Sequence, residues 1–429
     1  MRGTIYLLKP NRFVNVFACL LIVAAAAFAA SAAEKTTITM WWQGVGDAEA
    51  AQILINTFNR NHPWVQVDLV IEGNLSSGPG LDKVKTAIAA GTPPDVIYLG
   101  MHILPELFMT GLIIPIDEVL PAEFLASIDY LPAPRQLTTL GDRILGVQFR
   151  TDARGLYYNT SLFNEAGLDP SSGPEYTEEL DRYAERLTRL GADGSIERLG
   201  FAPRGNNFLS ELGWLWVFGG SPYDFERNRP SLTGNPAHVR AIEWIASYAE
   251  RYGAAATASA PLFNSEQVAM RVDSTTRIGL LKIEAPDVEW SVGPIPYPAE
   301  GGVKTTNSSG PGPVIPLGAP NVEAAAELIK YMAAKETQME WYRLTQQPPA
   351  RADALFELIQ NGEISDPREV TMLELMPNGF GVPPLFIGVL QPFFTPMMDS
   401  VRRGEITPLQ LLEDVQRAAE PAYRELFGN

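Results

Sequence analysis

Cysteine is nearly missing: Cys19 is the single one in 429 residues. It lies inside an apolar run near the start, so a chain that loses that run is built without disulfides and rests on a large core. Histidine is scarce too. His62, His102 and His238 are scattered, without the spacing that metal ligands require, so no metal and no cofactor is expected. Positive charge is in deficit, with 33 basic against 50 acidic residues and a formal net charge of −17. That balance argues against nucleic acid and anionic membranes as partners, while a small anionic ligand, governed by local charges, stays open. No apolar run beyond the leader is long enough to span a bilayer. A nucleophile elbow, a P-loop and HExxH are all absent. No low-complexity linker divides the chain.

Residues 1–33 read as a signal peptide. Arg2, Lys9 and Arg12 stand without an acid before the apolar "VFACLLIVAAAAFAA", and Ala30 and Ala32 are spaced as A-x-A. Cleavage near Ala32 or Ala33 and export to the periplasm are expected. A retained membrane helix is the competing reading, but the run is short for a core of ~30 Å. "VFAC" loosely resembles a lipoprotein box; cutting there would leave "LLIVAAAAFAA" on the mature chain.

Strand and helix patterns then alternate. "TTITMWW" reads as a strand, and Asp47 as the cap of the helix "AEAAQILINTFNRN". "VQVDLVIEG" alternates as a half-buried strand, "LDKVKTAIAAG" closes as a helix at Gly91, and "PPDVIYLG" is a turn with an apolar strand. This order marks a parallel sheet with helices on its faces. "GLYYN", "TRIGLL" and "WSVGPIPYP" read as further strands, "NPAHVRAIEWIASYAERYG" as a helix capped by Asn235, and the chain from Asn321 as mostly helix. The fold class is α/β, and two lobes without a linker imply a chain that crosses between them repeatedly.

The segments "AAGTPPDVIYLG", "GLYYNTSLFNEAGL" and "PVIPLGAPNVEAAAELIKYMAAKETQ", followed by "PPARADAL", resemble the extracellular solute-binding proteins of ABC importers. The group they are similar to is the sugar-binding one that includes the maltose-binding protein. The resemblance implies the two-lobed periplasmic binding protein fold, with a ligand cleft between the lobes and hinge closure on the ligand. Carried over by order, residues 34–147 and 290–344 form a first lobe. Residues 148–289 and 345–429 form a second, with the C-terminal helices. "ILGVQFRTD", "WSVGPIP" and "TQQPPAR" are the hinge candidates. A carbohydrate ligand and membrane permease subunits are the implied partners, and a monomer is expected.

A sugar site pairs aromatic faces with carboxylates, amides and arginines for the hydroxyl rim, presented at the carboxyl ends of strands. At the first strand exit, neighbours point to opposite faces, so both tryptophans of "WWQG" cannot share one. Trp41 is assigned to the packed face, and Trp42 with Gln43 to the ligand. Asn74 and Ser76 follow the second strand, although such residues are commonly turn-makers, and His102 follows the third. Arg150 and Asp152 lie at the first hinge. In the second lobe, Asn207 and Trp214 are preferred over Trp216, which reads as core. Asp273, Thr275, Gly310, Arg351 and Phe386 complete the set. Leu99 and Thr276 stand where the sugar-binding group has aromatics, so the stacking platform of an oligosaccharide binder looks incomplete. A mono- or disaccharide or a sugar conjugate is therefore expected. Arg150, Arg154, Arg204 and Arg351 keep an anionic derivative open, a phosphate- or sulfonate-bearing glycoside or a glycerol conjugate. An exported carbohydrate-active enzyme is the reading from another class. It needs two carboxylates across the scissile bond, and the segments above offer mostly amides, aromatics and arginines.

Overall fold

The alternation in Thr36–Gln43 sets the first sheet: Ile38, Met40 and Trp42 are buried, while the residues between them are not. The computed structural model describes residues 35–205, 207–258 and 263–428; the signal-peptide reading lies outside them. The strands of the two larger sheets are β1 (Thr36–Gln43), β2 (Val65–Glu72), β3 (Val96–Gly100), β4 (Ile113–Ile114), β5 (Arg154–Asn159), β6 (Arg189–Leu190), β7 (Ile196–Ala202), β8 (Val268–Ser274), β9 (Trp290–Gly293) and β10 (Pro311–Pro316). Two five-stranded sheets form, in the orders β2-β1-β3-β10-β4 and β9-β5-β8-β7-β6. β1 pairs parallel with β2 and β3, as the β-α-β-α-β pattern requires. β10 then returns antiparallel against β3.

Helix α1 (Ala48–Asn61) buries Ala51, Leu54, Ile55 and Phe58 on the face of the first sheet that carries Trp42. Helix α2 (Gly78–Ala89) buries Val84 and Ile88, in the cluster against which Trp41 packs. Helix α3 (Pro236–Tyr252) is capped by the Asn235 side chain, which accepts from the Ala237 amide. Among the described residues no helix is long and apolar enough to cross a membrane.

Two sequence expectations change. "TRIGLL" is part of helix α4 (Thr276–Glu284), not a strand. A short apolar run fits either element by periodicity, and only packing decides. Trp290–Gly293, expected to open the return to the first lobe, is the edge strand β9 of the second sheet, paired antiparallel with β5. The chain rejoins the first sheet at Pro311.

Three segments run side by side between the sheets. The Phe149 amide donates to the Pro311 carbonyl at 3.1 Å, Asp152 to Ser309 at 3.0 Å, and Thr151 to Pro348 at 2.9 Å. Gly310 is required here: a Cβ would sit 2.1 Å from the Arg150 carbonyl oxygen. The first and third crossings lie within the expected "ILGVQFRTD" and "TQQPPAR"; the second is residues 309–311 rather than "WSVGPIP".

Candidate functional site

The site begins with Trp42. Its indole is fully buried, stacked on Tyr98 at 3.8 Å between centroids and tilted against Trp341 at 5.3 Å. A buried indole N–H needs an acceptor, and the Trp42 Nε1 donates to Asp47 Oδ1 at 3.1 Å. Asp47 therefore stands at the N-terminus of α1 without capping it through its side chain. Gly44 makes room for that carboxylate: at φ +126° it adopts a backbone that other residues avoid, and a Cβ there would lie 2.6 Å from Asp47 Oδ1. Burial raises the Asp47 carboxyl above its ordinary value, while the Trp42 hydrogen bond, the Arg150 charge and Gln347 pull it back.

Asp47 faces a cavity of about 680 Å³ where the first sheet, the second sheet and the crossings meet. α1 and the loop before it supply Gly44, Asp47 and Ile53, and the first crossing supplies Arg150. α4 supplies Thr276 and Leu280, and the third crossing supplies Gln346 and Gln347. Arg150 Nε is buried without a hydrogen-bond partner among the described residues. Gln347 is oriented from behind, since its Oε1 accepts from Trp341 Nε1 at 3.2 Å. Among the described residues no aromatic side chain lines this cavity.

Of the residues picked from the sequence, Arg150 alone lines it. Trp42, Trp214 and Phe386 are buried core residues. Trp214 donates its Nε1 to the Pro203 carbonyl at 3.0 Å, and Phe386 packs near Tyr223. The more exposed member of each tryptophan pair is the other one. Trp41 is half-buried beneath the Lys83 ammonium, 4.6 Å from its ring. Trp216 is half-buried and stacks on Phe380 at 4.0 Å, a contact the sequence reading missed.

Most polar candidates hold the scaffold. Gln43 Oε1 accepts from the Leu75 amide at 2.9 Å and from the Ser76 hydroxyl. Ser76 Oγ in turn accepts from the Gly100 amide at 2.7 Å. Exposed Asn74 closes its own turn, donating to Ser77 Oγ and accepting from the Ser76 amide. Asp152 Oδ1 accepts from the Ser309 amide at 2.6 Å and faces Arg154 at 3.5 Å. Asn207 caps a short helix through the Leu209 and Ser210 amides. Asp273 is paired with Arg271 and Arg277, and Thr275 is buried just before α4. Gly310 serves the crossing described above. Arg351 grips Asp353 through two hydrogen bonds of 2.8 and 2.7 Å. Arg204 donates to the Ala258 carbonyl. His102 keeps its Nδ1 shut off from solvent without a partner among the described residues. Burial, aided by the Arg154 charge, pushes that imidazole down to about 4.

The sequence reading missed Asp47, Thr276, Gln346 and Gln347 as cavity residues. A signal existed for each: Asp47 follows the first strand exit by a glycine loop, Thr276 stands where the sugar-binding group has an aromatic, and the glutamines lie in a segment read as hinge.

Two α/β sheets joined by three adjacent crossings, with a cavity beside them, make up a two-lobed fold. The chain belongs to the bacterial extracellular solute-binding protein family, whose model matches residues 41–339. The mannitol-binding protein of Pseudomonas aeruginosa is 28% identical over 56% of this chain and 55% of its own length. The sn-glycerol-3-phosphate-binding periplasmic protein UgpB of Rhizobium meliloti is 25% identical over 79% and 82%. The chain spans about half the length of the first curated relatives it matches. Among solved structures, CpMnBP1 with mannotriose bound superposes with a TM-score of 0.77 at 26% identity, covering 90% of this chain and 100% of that one.

Proposed function

We propose that this chain is the substrate-binding component of an ABC importer. It takes up a carbohydrate or polyol in the cleft between its lobes, closes on it by a hinge, and delivers it to membrane permease subunits. It acts in the periplasm as a monomer, after removal of a signal peptide near Ala32 or Ala33. The lobes divide near Val147 and Leu344, with Trp290–Gly293 in the second. The observation that carries this reading is the cavity of about 680 Å³ beside the crossings. Its Asp47 accepts and its Arg150 and Gln347 donate, the mixture that a hydroxyl-rich ligand needs. Relatives named for mannitol and sn-glycerol 3-phosphate, and a neighbour holding mannotriose, support the ligand class. They also support binding without turnover.

A thermal-shift screen with mannobiose, mannotriose, maltose, mannitol and sn-glycerol 3-phosphate tests it. One of these at a hundredfold excess over Kd raises Tm by about 5 °C and is recovered unchanged. No shift with any of them, or conversion to product, refutes the reading. An anionic ligand is the second reading, favoured by Arg150, whose buried Nε has no hydrogen-bond partner among the described residues. Arg150→Gln then weakens sn-glycerol 3-phosphate by about 2 kcal/mol and leaves glycerol unaffected.

A further inference from the structure

The cavity beside the crossings has a polar floor and a mouth where three exposed aliphatic side chains stand beside the exposed Glu49 and Gln346. Asp47, Arg150, Thr276 and Gln347 are half-buried, whereas Ile53, Leu280 and Leu344 are 42%, 42% and 37% exposed. These three aliphatic residues come from three different helices, α1, α4 and α6 (Lys335–Thr345), Leu344 from the last turn of its helix. Large side chains exposed singly need no explanation, but several converging on one concave site do. The flat C–H face of a pyranose is best met by an aromatic ring, and this cavity has none among the described residues. Branched aliphatic side chains offer instead a yielding apolar surface for a substituent that a bare sugar lacks.

We infer that the ligand is amphiphilic: a compact hydroxylated head held by Asp47, Arg150 and Gln347, with an apolar substituent, an alkyl or aryl aglycone, lying on Ile53, Leu280 and Leu344. This rests on the carbohydrate-binding reading above and narrows it to glycosides or polyol conjugates. Burying a ring against these side chains removes apolar area from water on both partners, which favours the substituted ligand by about tenfold or more.

Methyl and phenyl glycosides of mannose, glucose and galactose, in both anomers, are compared by calorimetry on the mature chain. For a sugar that binds, the phenyl glycoside is expected to bind about tenfold tighter than the methyl glycoside. Leu280→Gln, at an exposed position, cuts the ratio of the two affinities below about threefold. Leu344→Gln does the same from the opposite side of the mouth. Equal affinity for the two glycosides overturns the inference while leaving the carbohydrate reading in place. A Leu280→Gln variant that weakens both glycosides alike also overturns it, because the rim then serves lobe closure. If no glycoside of either kind binds, this inference falls, and the carbohydrate reading stands or falls with the thermal-shift screen above.

Discussion

Replacing Trp42 by alanine removes the centre of the aromatic cluster beneath the site. The indole is fully buried, stacked on Tyr98 and touching Phe149 and Trp341. Truncating a buried tryptophan costs about 3–5 kcal/mol through lost transfer energy and the cavity left behind. The lost N–H also deprives the partly buried Asp47 of its 3.1 Å partner, adding about 1 kcal/mol. The expected loss is about 5 kcal/mol, a large share of the stability of a typical domain. Trp41→Ala is the control. Its ring is half-buried under Lys83, and about 1–2 kcal/mol is expected. Trp42→Phe keeps an aromatic ring and drops the donor, isolating the Asp47 contribution at about 1–2 kcal/mol. Urea unfolding followed by circular dichroism reads all three as shifts in midpoint at constant slope. If Trp42→Ala costs less than Trp41→Ala, the assignment of faces on β1 is wrong and Trp42 returns to the cleft.

His102 gives a pH signature. Its folded value of about 4 lies below the ordinary histidine value, so between these pH values the unfolded chain binds a proton that the folded one does not. Its contribution is fully present above pH ~6.5 and is lost as pH falls toward 4, by about 1–2 kcal/mol once partial exposure of the ring is allowed for. His102→Gln flattens the stability–pH curve in that window; an unchanged slope refutes the burial of the imidazole. Gly310→Ala drives a methyl group into the Arg150 carbonyl, 2.1 Å from the new Cβ position, and both atoms belong to crossing backbones with little freedom to part. A loss of about 3 kcal/mol in chemical denaturation is expected, with weaker ligand binding through the displaced Arg150. A variant as stable as its parent shows that the crossings can separate.

The elements were legible wherever local pattern and tertiary packing agree. The alternation of β1, the extent of α1 and the apolar β3 follow from side-chain period alone. Packing against the second sheet turned "TRIGLL" into α4, and pairing with β5 kept Trp290–Gly293 in the second sheet. Neither is local, so neither is written in a window of sequence. The site was read less well for a related reason. Chain order locates strand exits, but polar residues at exits also have to satisfy the loops that form them. Ser76, Asn207 and Asp152 are engaged by backbone amides.

Adjacency in "WWQG" does prove that the two indoles part company, and the structure keeps that much: Trp42 is buried and Trp41 half-buried. Which one goes inward depends on which face of β1 carries the deeper layer. That layer is built by α1 together with α5 (Val322–Ala333) and the Trp341 turn of α6, nearly three hundred residues away. The buried tryptophan still reaches the site, because its N–H must be satisfied and the nearest acceptor is the first carboxylate after the strand. Asp47 is thereby held at the cavity wall instead of on the helix it precedes. A residue that looks like a helix cap becomes a cavity-lining group through the hydrogen-bonding demand of a core residue beside it. The same argument assigns Gln347, held by Trp341: each buried tryptophan of this layer presents one polar side chain to the cleft.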